Sequence, residues 1–373
     1  MIASPNVLEI DLSALVHNLQ QVRRLVGAET RIMGVVKSDA YGHGLLPVAT
    51  MLDKSGIDFL GVAHVFEGLE LRNHGVRLPV IILCGLGSRE EAAVAVEKDL
   101  IPVIFDLAAA ETLAEEAARK RKTKNIHLKV DTGMGRLGIA HQEIGSFIQR
   151  IMKYKELHVS ALTSHLADAD DLAGDFTRLQ LNYFQEAIEA GHALGLDLPD
   201  NNLANSAGIM AHPESHFDLV RPGVMLYGGM PSPDYQAPIF LRSAMRFAGK
   251  ILQIREFPDR TPVSYGGTYH TQGVQRIGIL SAGYGDGLPR SLTNKGMVLI
   301  QGRKVNIVGR VCMNMTLTNI TGLKGVQPGD EVVFLGSQGE STILADDLAA
   351  WSDTISYEIF CSIGQINSRE YIS

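Results

Sequence analysis

Arg31-Ile-Met-Gly-Val-Val-Lys37-Ser-Asp-Ala-Tyr41-Gly-His-Gly44 carries an apolar, β-branched run straight into a lysine and a polar, glycine-punctuated turn. Such a run reads as a buried strand, and the amphipathic stretch Leu45–Lys54 that follows reads as a helix. Working outward, the same couplet recurs. Strand-like runs lie at Arg31–Lys37, Asp58–Val65, Pro79–Gly85, Ile101–Phe105, Ile126–Asp131, His158–His165, Asn202–Ser206 and Asp218–Tyr227. Helical periods fill most of the gaps, at Leu45–Lys54, Glu67–Asn73, Glu90–Lys98, Ala108–Lys122, Glu143–Lys155 and Arg178–Leu194. Eight parallel βα units predict a closed (β/α)₈ barrel of the TIM type, with a doubly wound open sheet as the competing arrangement. A helix over Ser13–Val26 precedes the first barrel strand, and Val7–Asp11 before it reads as a strand outside the barrel.

Past Gly229 the texture changes. Pro231–Pro238 is a linker by its proline and polar content, and beyond it short strand-like runs are separated by glycine-rich turns. They are Phe247–Phe257, Arg276–Ser281, Met297–Gln301, Val305–Val311, Thr316–Ile320 and Glu331–Leu335, with one clear helix at Leu344–Trp351. The expectation is a barrel domain over residues 1–235 and a mainly β domain over 236–373, with the strand at about 1–11 packing on the second. A chain of 373 residues is long enough for two cores.

Composition narrows the function. The chain is 45% hydrophobic and 20% charged with a net charge of −7, and its only basic run, Arg119–Lys122, closes a helix where cations suit the dipole. Nucleic acid is not the expected partner. No stretch approaches the roughly 18 apolar residues of a membrane span, and Met1–Leu12 holds Pro5, Glu9 and Asp11 where a signal peptide needs an apolar core. Cys84, Cys312 and Cys361 form neither a disulfide framework nor a metal-ligand spacing, so a reduced cytoplasm and no metal are expected.

In a barrel of this kind chemistry collects at the C-terminal ends of the strands. Lys37 ends the first, Lys129 and Asp131-Thr-Gly-Met-Gly-Arg136 the fifth, His165 the sixth, Asn205 and Ser206 the seventh, and Arg221-Pro-Gly223-Val224 the eighth. Desolvation lowers a lysine pKa, as attack on an aldehyde requires, although an arbitrary lysine is more often a snorkelling surface cation. The Ser206 hydroxyl and the free amides of Gly223 and Val224 would suit a phosphate. A reactive lysine beside a phosphate grip is the signature of pyridoxal phosphate.

These residues carry a family resemblance. Val36–Gly44 closely resembles the cofactor-lysine motif of bacterial alanine racemases, pyridoxal-phosphate enzymes of fold type III. So do Lys129–Arg136, Ala204-Asn-Ser206, Arg221-Pro-Gly, Val263-Ser-Tyr265-Gly, Ala282-Gly-Tyr284-Gly-Asp, Gly309–Met313 and Tyr357-Glu, in order along nearly the whole chain. The resemblance implies an amino-acid racemase that supplies D-alanine for peptidoglycan from a homodimer with shared active sites. It implies that Lys37 carries the cofactor and is the base on the D face, with Tyr265 of the partner subunit the base on the L face. Two groups are needed because racemisation moves a proton between opposite faces, and a tyrosine of ordinary pKa, about 10, needs help to act as a base.

Further roles follow from the resemblance. Arg221 would face the pyridine nitrogen and, staying charged, leave it unprotonated. Arg136 would contact the phenolic oxygen and the substrate carboxylate, and His165 would pack on the ring. Tyr41, Asn205, Ser206, Gly223, Val224 and Tyr357 would surround the phosphate end. Met313 would offer its backbone N–H to the substrate. Tyr284 and Tyr357 would narrow the entrance and favour alanine, with Asp170, Arg290 and Arg310 along the channel. Lys129 matches a lysine that is carbamylated in the family and would then pair with Arg136; an unmodified lysine paired with Asp131 is the alternative.

Three positions depart from the family pattern. Asn202 stands where a histidine supports the pyridine-side arginine, Asn314 stands where aspartate follows the methionine, and Cys361–Arg369 lacks the usual basic ending. Alternatives therefore stay open: a serine or broad-specificity racemase, a barrel-fold pyridoxal decarboxylase, or a non-catalytic pyridoxal-phosphate carrier.

Overall fold

The computed structural model describes residues 4–172, 174–232 and 239–373. Of the linker at 231–238, positions 233–238 lie outside the described residues, as do residues 1–3 of the N-terminal strand region.

The parallel strands Arg31–Val35, Phe59–Val62, Val80–Ile82, Ile101–Ile104, Lys124–Asp131 and Leu157–Thr163 pair in chain order. Leu219–Val220 then lies beside Arg31–Val35, in register Arg31 with Leu219. The gap between Leu157–Thr163 and Leu219–Val220 is bridged by extended chain at residues 201–204. Asn202 donates its amide to Leu162 O (3.1 Å), Leu219 donates to Asn201 O (3.2 Å), and Arg221 donates to Ala204 O (3.0 Å). The hydrogen-bond circuit therefore closes as a barrel.

Two of the eight expected strands are much reduced. At Asn202–Ser206 only the single bridge Thr163–Asn202 forms, and Asn205 caps a helix over Ser206–Ala211 by accepting the Gly208 amide at 2.9 Å. At Asp218–Tyr227 the strand is Leu219–Val220; Pro222 has no N–H to continue a ladder, and Val224–Tyr227 winds into a 3₁₀ turn.

The outer helices follow their apolar periodicity. Leu107–Lys120 starts at Asp106, whose carboxylate accepts the Ala109 amide at 2.8 Å, a cap worth about 1 kcal/mol. It buries Ala110, Leu113, Ala114 and Ala117, the spacing of one helix face, and ends with Arg119 and Lys120 on the carbonyl end of the dipole.

The second sheet is organised by one long strand, Met245–Phe257. A register shift between Ile251 and Gln253 lets it pair with Glu331–Gln338 along its first part and with Gln275–Leu280 along its second. Its other edge takes Val7–Asp11 antiparallel, and Arg369–Ile372 lies parallel to that strand. Both ends of the chain thus meet in this sheet. Helix Leu12–Val26 runs from there to the barrel, where buried Asn18 donates to Leu226 O (2.9 Å) and Arg242 O (2.8 Å) and accepts from Arg242 N (2.8 Å).

The expected single helix in this half is Ala345–Ser352, and a second one follows it at Ser356–Ile366. The second buries Ile359, Phe360 and Ile363 and carries Tyr357. It approaches the turn after the first barrel strand so closely that a Cβ on Gly364 would lie 2.1 Å from Gly42 O. That close approach is what the two glycines permit.

Candidate active site

A cavity of about 420 Å³ opens at the C-terminal ends of the barrel strands. Lys37, Tyr41, Lys129, Arg136, His165, Asn205, Ser206, Arg221, Gly223, Val224 and Tyr357 all line it. Eleven positions chosen along 320 residues of sequence therefore meet in one place. Val35, Leu83, Cys84, Val103, Leu137, Thr163 and Ser164 complete the wall and were not foreseen. Thr163 and Ser164 sit at the same strand end as His165, so strand-end position alone would have found them.

Electrostatics explains what such a cavity attracts. Lys37, Lys129, Arg136 and Arg221 bring four basic side chains to its wall, and Asp131 forms an ion pair with none of them among the described residues. Its carboxylate is spent on the amides of Gly133 (2.9 Å) and Gly135 (3.1 Å), and it forms no ion pair with Lys129 among the described residues. Burial and the neighbouring Arg221 and Arg136 push the Lys129 amine well below its ordinary pKa. The same burial and cations drive His165 well down, so its ring is neutral.

Arg221 is 5% exposed and held from several sides. Its guanidinium donates to Asn202 Oδ1, to Ser164 O (2.6 Å), to Leu203 O (3.1 Å), and to His165 Nδ1 (3.1 Å). Asn202 is fixed in turn, accepting from Thr163 Oγ1 at 2.5 Å and donating to Asp200 O at 2.8 Å. Replacement of the family histidine by Asn202 thus leaves Arg221 firmly oriented. Burial, with Arg136 nearby, lowers the Arg221 pKa to about 10, which still leaves it charged at neutral pH.

At the other end of the cavity, the Ser206 hydroxyl accepts the Gly223 amide at 2.9 Å. The Gly223 amide is therefore engaged, not free as the sequence reading supposed. A Cβ on residue 223 would lie 2.6 Å from the Tyr41 hydroxyl, so glycine keeps open the space between that hydroxyl and the backbone. A cradle of this shape, in a cavity also lined by Lys37, Arg136 and Arg221, fits an anionic group such as a phosphate. The half-buried Tyr357 faces the same cavity, and burial together with Asp170 and Asp346 raises its pKa to about 12.

Lys37 is presented by an unusual turn. Ser38, Asp39, Ala40 and Tyr41 all have φ between 53° and 55°, four consecutive left-handed residues without a glycine. Each such residue costs roughly 1–2 kcal/mol. Hydrogen bonds offset that strain. Asp39 Oδ1 accepts the Leu45 amide at 2.6 Å, its other oxygen is paired with Arg369, and His43 Nδ1 meets the carbonyls of Ala40 (3.1 Å) and Tyr41 (3.0 Å). One basic residue of the chain's end, Arg369, is thus built into the site's foundation.

Three expected site residues lie elsewhere. Tyr265 is 69% exposed, Met313 58% and Tyr284 41%, all on the strand-rich half. They share one loop cluster: Ser264 Oγ donates to Arg310 O (2.7 Å), Tyr284 donates its amide to Cys312 O (3.0 Å), and Gly285 donates to Met313 O (2.6 Å). The Arg310 guanidinium lies against Gly266, next to Tyr265. Tyr284 and Arg290 line a separate cavity of about 630 Å³ with Asp353 and Glu358, so within one chain Tyr284 and Tyr357 do not frame a common entrance.

A closed barrel with a lysine turn, a phosphate-shaped cradle and an attached β-domain defines a cofactor-dependent barrel enzyme. The model of the alanine racemase N-terminal domain matches residues 10–231, and that of the alanine racemase C-terminal domain matches residues 244–371. The chain belongs to the alanine racemase family. It is 42% identical to an alanine racemase of Syntrophobacter fumaroxidans over 97% of this chain and 96% of that one. An alanine racemase from D-cycloserine-producing Streptomyces lavendulae superposes with a TM-score of 0.93 at 32% identity, covering all of this chain and 98% of its own. An alanine racemase from Bartonella henselae, solved with covalently bound pyridoxal phosphate, superposes at 0.89 and 29% identity over the full length of both chains. The family's members are isomerases of L- and D-alanine and depend on pyridoxal phosphate.

Proposed function

We propose that the chain racemises alanine as a homodimer, each active site combining the barrel of one protomer with the loop cluster of the other. The observation that carries this reading is a separation. Lys37 faces the barrel cavity, whereas Tyr265 and Met313 stand exposed on the same chain. We assign residues 1–235 to the barrel domain and 236–373 to the strand-rich domain that lends Tyr265 to its neighbour.

Pyridoxal phosphate, when bound, supplies an electron sink that makes the Cα–H bond of an amino acid acidic. Lys37 would attach it covalently. Tyr41, Ser206, Gly223, Val224 and Tyr357 would hold its phosphate, with Asn205 capping the helix that carries Ser206. Arg221 would face the pyridine nitrogen, and as a charged group with no proton to spare it keeps that nitrogen unprotonated. This tempers the sink and disfavours side reactions such as transamination. His165 would pack on the ring, and Arg136 would bind the phenolic oxygen and orient the substrate carboxylate with the Met313 N–H.

Proton movement falls to two residues on opposite faces of Cα. The Lys37 amine exchanges the proton on the D side, and the hydroxyl of the partner's Tyr265 exchanges it on the L side. Lys129 has the properties that carbamylation needs: an amine pushed toward its neutral form, with Asp131 occupied elsewhere. Its nitrogen would add to carbon dioxide with loss of one proton. The resulting anion would sit between Arg136 and Arg221 and remove their mutual repulsion.

Among the described residues no helix is long and apolar enough to cross a membrane. With three free cysteines, the chain fits a cytoplasmic source of D-alanine for peptidoglycan. One observation favours a wider substrate range. Asn314 is neutral where an aspartate is usual, and its Nδ2 donates to Asp286 at 3.2 Å. Purified protein assayed with L-alanine and L-serine, with and without added pyridoxal phosphate, tests the proposal. Turnover of neither amino acid would sink it.

A further inference from the structure

The strained turn after Lys37 needs an anchor at its first residue, and the structure supplies one from another element. Glu67, in helix Val65–Asn73, is 4% exposed. Its Oε1 accepts the Ser38 amide at 2.6 Å, and its Oε2 accepts the amides of Ala63 (2.8 Å) and His64 (3.0 Å). It makes no ion pair among the described residues, so three backbone donors balance a buried carboxylate. A charge so placed is costly unless its lone pairs are filled, and here they are filled by the ends of two neighbouring barrel strands. Ser38 follows the first strand and Ala63 the second, so the carboxylate ties the turn to the adjacent strand end.

The remaining restraints act further along. Asp39 and Arg369 hold the middle of the turn, His43 holds its later carbonyls and the Gly42 amide takes the Ser38 carbonyl at 3.1 Å, whereas among the described residues the Ser38 amide, next to Lys37, is held by Glu67. Losing that grip frees the first of four left-handed residues to relax toward ordinary backbone. Lys37 would then swing relative to the cavity, and the Tyr41 hydroxyl would leave the space opposite Gly223.

We infer that Glu67 is a positioning residue for Lys37: its carboxylate locks the left-handed turn so that the amine meets the cofactor pre-aligned. This rests on the reading of Lys37 as the cofactor lysine. It assigns Glu67 no contact with cofactor or substrate.

The test compares full-length Glu67→Gln and Glu67→Asp with the parent. Glutamine keeps the size but turns an NH₂ toward a backbone N–H, so at least one of the three donors loses its acceptor. Aspartate keeps the charge on a shorter stem, and should recover part of what glutamine loses. Hydrogen exchange of the cofactor-free proteins should show the peptide spanning residues 36–42 exchanging at least tenfold faster in Glu67→Gln, with distant barrel peptides unchanged. Stopped-flow absorbance on adding pyridoxal phosphate should show covalent capture slowed at least tenfold, and kcat should fall tenfold or more with KM changed less than threefold. Unchanged exchange at 36–42 overturns the proposal, whatever Lys37 does. Faster exchange with parental capture rate and kcat overturns it too, because the turn would then be anchored without serving the lysine. Should Glu67→Gln fail to fold, Glu67→Asp carries the same measurements, with smaller shifts in the same direction expected. Borohydride trapping of the parent reads the premise separately, since label on a lysine other than 37 would refute the cofactor assignment on its own.

Discussion

Acidification should destabilise this fold through His127, by an amount the structure allows one to work out. The ring is 1% exposed on barrel strand Lys124–Asp131, and neither ring nitrogen has a hydrogen-bond partner among the described residues. Burial, reinforced by the charges of Arg221 and Arg31, lowers its pKa from 6.5 to about 3. A depressed pKa means that the unfolded chain binds the proton more readily. The stability contributed by the neutral ring is therefore complete above pH 6.5 and lost as the pH falls from 6.5 toward 3. At pH 4.5 the unfolded state is two units below its pKa while the folded ring is still mostly neutral, a loss of roughly 3 kcal/mol relative to pH 8. The perturbation that isolates this term is His127→Leu, which is close in volume and breaks no hydrogen bond. Urea unfolding of parent and variant, followed by circular dichroism between pH 8 and 4.5, gives the difference between the two stabilities. The variant should gain on the parent by roughly 3 kcal/mol over that range, about 1 M in urea midpoint for a slope of about 3 kcal/mol/M. Parallel stability curves would refute the reasoning, because a histidine already protonated or solvated in the folded state contributes no such slope.

The remaining tests address chemistry. Borohydride reduction of the cofactor-loaded protein and peptide mapping should place the label on Lys37; label elsewhere rejects that assignment. Lys129→Ala should lose activity that acetate or chloride-free formate partly restores, and native mass spectrometry of the parent should show an added carboxyl group that acid removes; no rescue together with an unmodified mass favours the plain lysine. Alanine should outrank serine in kcat/KM; Asn314→Asp would face Asp286 with a second carboxylate, so any sharpening for alanine should come with a fall in melting temperature, and a serine preference in the parent would overturn the reading of the gate. Co-expressed Lys37→Ala and Tyr265→Ala chains should each be inactive as homodimers yet regain activity as a hybrid, since one of its two sites then has both groups; a folded, cofactor-binding hybrid without activity would remove Tyr265 from a shared site.

What was legible in the sequence divides along a physical line. Elements whose burial pattern repeats within a few residues could be read directly: the run Ile32–Val36, the face Ala110–Leu113–Ala117, and the long strand ending at Phe257. Elements whose form is set by distant partners could not. Asn202–Ser206 looks like a strand by its apolar Leu203 and Ala204. Its backbone is held by single bonds to Leu162, Ser164 and Arg221 on neighbouring segments rather than by a continuous ladder, and Asn205 turns it into a helix. Helix Ser356–Ile366 has the right spacing at Ile359, Phe360 and Ile363, but a glycine and several short polar residues dilute the signal. Its stability comes from packing on Gly42 and the Lys37 turn.

The same division governs the site. Lys37, Lys129, His165 and Arg221 could be found because strand-end position is a local property that a barrel converts into proximity. Glu67 could not, although His64-x-x-Glu67 has the spacing of a helix-start box. Spacing alone predicts a carboxylate that caps its own helix, and of the three bonds observed the one from His64 does that while a second takes the adjacent Ala63 amide. The third reaches back 29 residues to Ser38 and turns a capping group into the support of a reactive lysine. Nothing in the local sequence separates a carboxylate with two such bonds from one with three. The difference appears only when two adjacent strands end at the same height, which the barrel's register decides and no single segment encodes.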